Sequence, residues 1–187
     1  IGSKTSRGVR FILSSNMLTG AIRRLPSTVT ELLCRGNRFA HFDPDVLSDV
    51  AGLRIFDVAY NRLQGTLPRG LSNNTLLHTI DVSNNFLSGP IPEELTKLNP
   101  ENLRRLDLSK NNFSGSVPNG FERIVTFLKC FNVCGNPLLN VSRLDPSTGS
   151  NLSKKLVERF KKGHTDEDVI NGPICKYGCN ISGGSDC

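Results

Sequence analysis

The sequence predicts an α/β solenoid, in which each turn of a repeating coil contributes one short strand to a parallel, concave sheet. Three observations carry this reading. A phrase of the form apolar-x-apolar-x-x-Asn recurs six times along the 187 residues. Further apolar residues flank it at fixed distances. A Gly stands four positions after the Asn in four of the units. Aligned on Asn16, Asn37, Asn61, Asn85, Asn111 and Asn136, the units are spaced by 21, 24, 24, 26 and 25 residues.

Each element has its own justification. The pairs Phe11 and Leu13, Leu32 and Cys34, Phe56 and Val58, Ile80 and Val82, Leu106 and Leu108, and Phe131 and Val133 have period two, which is a strand with one face buried. An apolar residue eight before the Asn (Val29, Leu53, Leu77, Leu103, Leu128) and another two after it (Leu18, Phe39, Leu63, Leu87, Phe113, Leu138) complete the inward set. Where the strand ends the chain turns inward and leaves backbone N–H and C=O groups without a sheet partner. A buried Asn carries the donors and the acceptor to satisfy them, so the six Asn are expected to form a ladder. Gly20, Gly65, Gly89 and Gly115 supply backbone freedom just beyond it.

After the Gly come Ile22, Leu67-Pro68, Ile91-Pro92 and Val117-Pro118. The runs 61–68, 85–92 and 112–118 therefore read N-x-L-x-G-x-I-P or close to it, and the whole register resembles the leucine-rich repeat, in its plant-type subclass, over about three quarters of the chain. That resemblance implies a right-handed coil, a second short strand after the Gly, 3₁₀ or helical turns on the convex side and an overall twist. Departures are expected to matter. The second unit has His41 where Gly belongs, so its second strand is in doubt, and Asp43-Pro44 followed by Val46, Leu47 and Val50 reads instead as a capped helical turn. Asn140 replaces Gly in the last unit, which marks the end of the solenoid. The lack of a paired-Cys cap before the first unit implies further sequence upstream.

The chain thus divides into a solenoid of about six repeats over 1–140 and a Cys-containing cap over 141–187. Cys34 takes an inward Leu position as a small buried thiol. Cys130 and Cys134 stand at outward parity on the last strand, about 13 Å apart, too far to bond each other. Cys175 and Cys179 repeat the spacing, so two disulfides pinning the tail over the last coil satisfy both pairs, with the order open and Cys187 left over. A Cys₄ zinc site is the rival reading. Leu152, Leu156, Val157 and Phe160 recur at helical spacing among basic residues, which suggests a capping helix or a membrane-surface helix.

Composition narrows the function. Apolar residues make up 37% and charged ones 21%, no stretch is long enough to span a membrane, and the net charge of +6 is spread too evenly to argue for nucleic acid. Sequons at Asn73, Asn112, Asn140, Asn151 and Asn180, with the clustered cysteines, point to a secreted or cell-surface glycoprotein. No metal-ligand or triad spacing involves His41, His78 or His164, and no phosphate loop is present, so neither an enzyme nor a cofactor is expected. Asp57, Asp81 and Asp107 form a carboxylate column that is expected to face solvent singly, as the repeat consensus places it.

What remains is a surface. Ile12, Leu33 and Ile55 are expected to form an exposed apolar strip with Arg35 and Tyr60 at its rim, suited to a protein contact. The expected function is a non-catalytic extracellular recognition module, similar to the ectodomains of plant receptor kinases, binding a protein, peptide or glycan. The alternative is a structural subunit of a wall, coat or filament that packs against copies of itself or other chains.

Overall fold

The computed structural model describes residues 8–142 and 150. Over that range the chain winds through six coils. One strand from each, β1 (Val9–Ile12), β3 (Val29–Leu33), β5 (Ile55–Asp57), β7 (Thr79–Asp81), β9 (Arg105–Asp107) and β11 (Cys130–Asn132), joins a six-stranded parallel sheet in chain order. The inward columns are filled as the periodicity predicts: Leu32, Phe56, Ile80 and Leu106 are at most 2% exposed, and the column eight before the Asn, from Val29 to Leu128, is buried throughout. Cys34 is buried in this core, and its desolvation, aided by the charge of Asp57, pushes the thiol up to about 11.

The Asn ladder closes each coil on the one before it. Asn85 donates through Nδ2 to the carbonyls of Val58 in the preceding coil (3.1 Å) and of Val82 and Ser83 in its own (3.1 and 3.2 Å). Its Oδ1 accepts the Leu63 N–H at 2.9 Å. Asn37, Asn61, Asn111 and Asn136 repeat the arrangement, all buried. Asn16, in the first coil, is exposed and bonds only to the carbonyls of Leu13 and Ser14. The residue before each ladder Asn is left-handed in every coil: Ser15, Gly36, Tyr60, Asn84, Lys110 and Gly135 all have φ between 52° and 69°. That conformation turns the chain out of the strand and aims the Asn inward.

A second set of strands lines the lateral face: β2 (Thr19–Ile22), β4 (Arg38–Phe42), β6 (Gln64–Gly65), β8 (Phe86–Pro90), β10 (Asn112–Ser116) and β12 (Leu138–Asn140). β4 forms, contrary to the expectation from its missing Gly, but the lateral sheet is broken beside it. β2 and β4 make one pair, while β6, β8, β10 and β12 make a separate four-stranded sheet. His41 stands where four of the other coils have a left-handed Gly, such as Gly65 at φ 84°, and the pairing of β4 with β2 is irregular at Ala40, beside His41. β4 and β6 do not pair.

The convex side carries 3₁₀ turns at Arg69–Asn73 and Glu93–Lys97 and a short helix at Phe121–Val125, as the repeat type implies. In the second coil Val46, Ser48 and Val50 donate to the carbonyls three residues back, at 3.1 to 3.2 Å, so that stretch is a run of turns, burying Val46, Leu47 and Val50. Leu138 corrects the inward set. Pro137 slips the last coil by one residue, so Leu138 is 64% exposed and Leu139 is buried in its place. The tail helix expected around Leu152 to Phe160 lies outside the described residues.

Candidate functional site

The outward positions of the concave sheet fall into three rows that cross the strands, because parallel neighbours pair without a stagger from β3 onward. The middle row reads Ile12, Leu33, Asp57, Asp81, Asp107, Asn132. Beside it runs Arg10, Glu31, Ile55, Thr79, Arg105, Cys130. Ile12 and Leu33 are therefore neighbours, as expected, with Ile12 63% exposed and Leu33 half-buried. Ile55 is half-buried in the adjacent row, between Glu31 and Thr79, so the expected strip of three is a pair with Ile55 set diagonally to it.

The aspartate column differs from the expectation of single, solvent-facing charges. Asp81 is 1% exposed and Asp107 is 5% exposed. Two arginines from the flanking rows explain why. Arg35 donates through Nε to Asp57 Oδ2 at 3.1 Å and through Nη2 to Asp81 Oδ2. Arg105 Nη2 donates to the same Asp81 oxygen at 2.9 Å and to Asp107 Oδ2 at 3.0 Å. The other oxygens accept locally: Asp81 Oδ1 takes the Ser83 N–H and hydroxyl at 3.1 and 2.7 Å, and Asp107 Oδ1 takes those of Ser109 at 3.1 and 2.6 Å. The result is a chain of alternating charge from Asp57 to Asp107, in which shared partners compensate the desolvation of each carboxylate.

Burial still shows in the titration of its end member. Desolvation, helped by the nearby Asp81 charge, raises the Asp107 carboxyl above its ordinary value against the opposing Ser109 hydrogen bonds and the Arg105 charge. For Arg35, burial lowers the guanidinium pKa, but the hydrogen bond and charge of Asp57, with Asp81, outweigh it and the net shift is upward. Arg35 also lies over the Tyr60 ring, 5.3 Å from its centroid, in cation–π geometry. Tyr60 is 54% exposed because its left-handed backbone throws the side chain outward at the sheet's rim. The structure thus brings Leu33, Arg35 and Tyr60 to the N-terminal half of the concave face, with Arg35 tied into the ion chain rather than standing free.

Two features escaped the sequence reading. The left-handed position had only a faint signal, since Gly36, Asn84 and Gly135 favour that conformation but Ser15, Tyr60 and Lys110 do not. The burial of the aspartates had none, because nothing local says that Arg35 reaches across two coils. Of the sequons, Asn73, Asn112 and Asn140 are exposed, while Asn151 and Asn180 lie outside the described residues. Cys130 and Cys134 are buried, and Cys130 is half of a disulfide. Their expected partners Cys175 and Cys179 also lie outside the described residues. No helix among the described residues is long and apolar enough to cross a membrane, and no cluster there could hold a metal ion.

Stacked coils, a ladder of buried Asn and an outward-facing parallel sheet define a repeat solenoid. Comparison with known proteins gives it a family. The Leucine Rich Repeat family model matches residues 52–74, 76–98 and 102–124. Receptor-like protein 18 of Arabidopsis thaliana is 41% identical over an alignment covering 58% of this chain and 16% of its own length. One chain of the BIR3–SERK2 complex of the same plant superposes with a TM-score of 0.60 at 27% identity, covering 75% of this chain and 73% of that one. A plant peptide hormone receptor, RGFR1 in complex with RGF2, superposes at 0.61 with 28% identity, covering 72% of this chain and 22% of that one. The chain carries leucine-rich repeats of the plant type and shares the fold of plant proteins solved in complexes, which supports a protein-interaction module. It spans only 13% and 16% of the first two curated relatives, both receptor-type proteins.

Proposed function

We propose that the chain is an extracellular recognition module of a cell-surface receptor-like protein and binds a protein or peptide partner on the N-terminal half of its concave face. The observation that carries this reading is the juxtaposition of exposed Ile12 and half-buried Leu33 with the Arg35–Tyr60 stack. Apolar surface beside an aromatic and an arginine held in place by Asp57 and Asp81 costs little conformational entropy to bury. Ile55 lies at the edge of this patch. The complexes in which similar chains were solved, RGFR1 with RGF2 and BIR3 with SERK2, support the class of ligand.

Exposed Asn73, Asn112 and Asn140 are the proposed glycosylation sites within the described residues; none lies on a concave strand, so glycans there would leave the concave patch open. The burial of Cys130 and Cys134 at outward positions supports a disulfide-linked cap over the last coil. A photo-crosslinking side chain at Leu33, in the intact protein on its own cell surface, tests the assignment. The expected result is a specific covalent adduct with another protein at Leu33 and none from exposed Leu76. Adducts only with further copies of the chain would favour the structural-subunit alternative.

A further inference from the structure

The break in the lateral sheet leaves a surface that the concave reading does not use. β4 and β6 touch at their start, where the Arg62 N–H donates to the Phe39 carbonyl at 2.9 Å, and then separate. Between them opens a cleft of about 470 Å³. Phe42, Leu47 and Leu67 give it an apolar floor, and polar His41, Asp43 and Gln64 also line it. At the other end of the same two strands stand Arg38 and Arg62, at equivalent positions on successive coils, both exposed. Neither has an acidic partner among the described residues, nor do Arg23, Arg54, Arg104 and Arg123, but Arg38 and Arg62 alone of these stand at the same position on successive coils.

We infer that this lateral band, from Arg38 and Arg62 to the cleft between β4 and β6, is a second binding surface for an acidic, extended peptide segment that carries one bulky apolar side chain. Two unneutralised guanidiniums one coil apart call for carboxylates, which they bind through charge-assisted hydrogen bonds. The apolar floor calls for an aliphatic or aromatic side chain. An extended occupant follows from the facing edges of β4 and β6, which do not pair with each other along the break. From Arg62 to Thr66 at the cleft is at most about 13 Å, shortened by the kink at Gly65, so the carboxylate and the apolar group should lie within about four residues of each other. Arg69 is excluded from the anion contact because Glu94 already engages it at 3.5 Å.

The test is fluorescence anisotropy of a labelled synthetic peptide with two Glu, a three-residue Ser/Gly spacer and a Leu, titrated with the intact chain. Saturable binding is expected that weakens at least about tenfold with Arg38→Ala/Arg62→Ala and with Thr66→Trp, which fills the cleft, and fades as salt rises. Replacing the two Glu by Lys in the peptide should abolish it. Melting temperatures check that the variants fold, and Gln64→Trp stands in for Thr66→Trp should the latter unfold. No saturable binding at millimolar chain would overturn the inference. So would binding that ignores the arginines, or binding that ignores the filled cleft. Loss of this peptide in Leu33→Asp would instead assign it to the concave patch.

Discussion

A single ladder residue carries an unusual number of bonds. Asn111 donates to three carbonyls, those of Val82, Leu108 and Ser109, and accepts the Leu87 N–H, all within 3.2 Å and in a buried setting. Asn111→Leu leaves those backbone groups without partners at about 1–3 kcal/mol apiece, so a loss of several kcal/mol is expected in urea unfolding. Asn16→Leu should cost little, because Asn16 is exposed and closes no preceding coil. The left-handed position before each Asn makes a second residue-scale test. Lys110 adopts φ 52° at an exposed site, and Lys110→Gly should raise the unfolding free energy measured in urea by about 0.5–1 kcal/mol. Gly135→Ala should do the reverse, since at φ 68° a Cβ would stand 3.3 Å from the Lys110 backbone. Cys34, its thiol pushed up to about 11 from 9.0, should resist alkylation in the native state. Because its folded pKa is raised, its contribution to stability is intact below pH 9.0 and declines as pH climbs toward 11.

Among the elements, the ion chain ties four concave strands together, from Arg35 just after β3 to Asp107 on β9. Asp81 is its hub, since both arginines meet on one carboxylate oxygen. Asp81→Asn weakens both contacts and leaves two guanidiniums partly desolvated. Removing one partner of a buried pair costs about 3–5 kcal/mol, but Arg35 and Arg105 retain 37% and 19% side-chain exposure and can turn to water, so about 1–3 kcal/mol is expected here. The same chain sets a pH response. With its carboxyl raised above 3.8, Asp107 contributes stability that is fully present below pH 3.8 and is lost as pH rises through its folded pKa. Carboxyl-carbon NMR shifts against pH should place the Asp107 midpoint above 3.8.

At the scale of the molecule, the coil was readable because a solenoid's contacts are one-dimensional. Leu32, Phe56, Ile80 and Leu106 each need only the matching residue of the next coil, so a fixed spacing in sequence is a fixed place in space. What could not be read involved reach or exception. Arg35 passes over Ala59 to Asp81, 46 positions on in sequence, and no local pattern encodes that. Pro137 shifts Leu138 outward by one residue, and the lateral sheet breaks beside His41, each a single departure whose consequence depends on the neighbouring coil. The concave patch was half legible for the same reason: strand parity placed Ile12 and Leu33 outward, but pairing register decided that Ile55 lies in the next row.

The proposed partner site is the concave patch held by Arg35 and rimmed by Tyr60. The direct measurement is the affinity of Leu33→Asp and of Leu76→Asp, a change at an exposed site off the concave sheet, for the partner captured at Leu33, with melting temperature measured alongside. A desolvated carboxylate placed against an apolar contact should weaken binding by at least about a hundredfold in Leu33→Asp, with the fold intact, while Leu76→Asp binds as the parent does. Undiminished binding by Leu33→Asp, with loss in Leu76→Asp, would contradict the claim and move the site off the concave sheet.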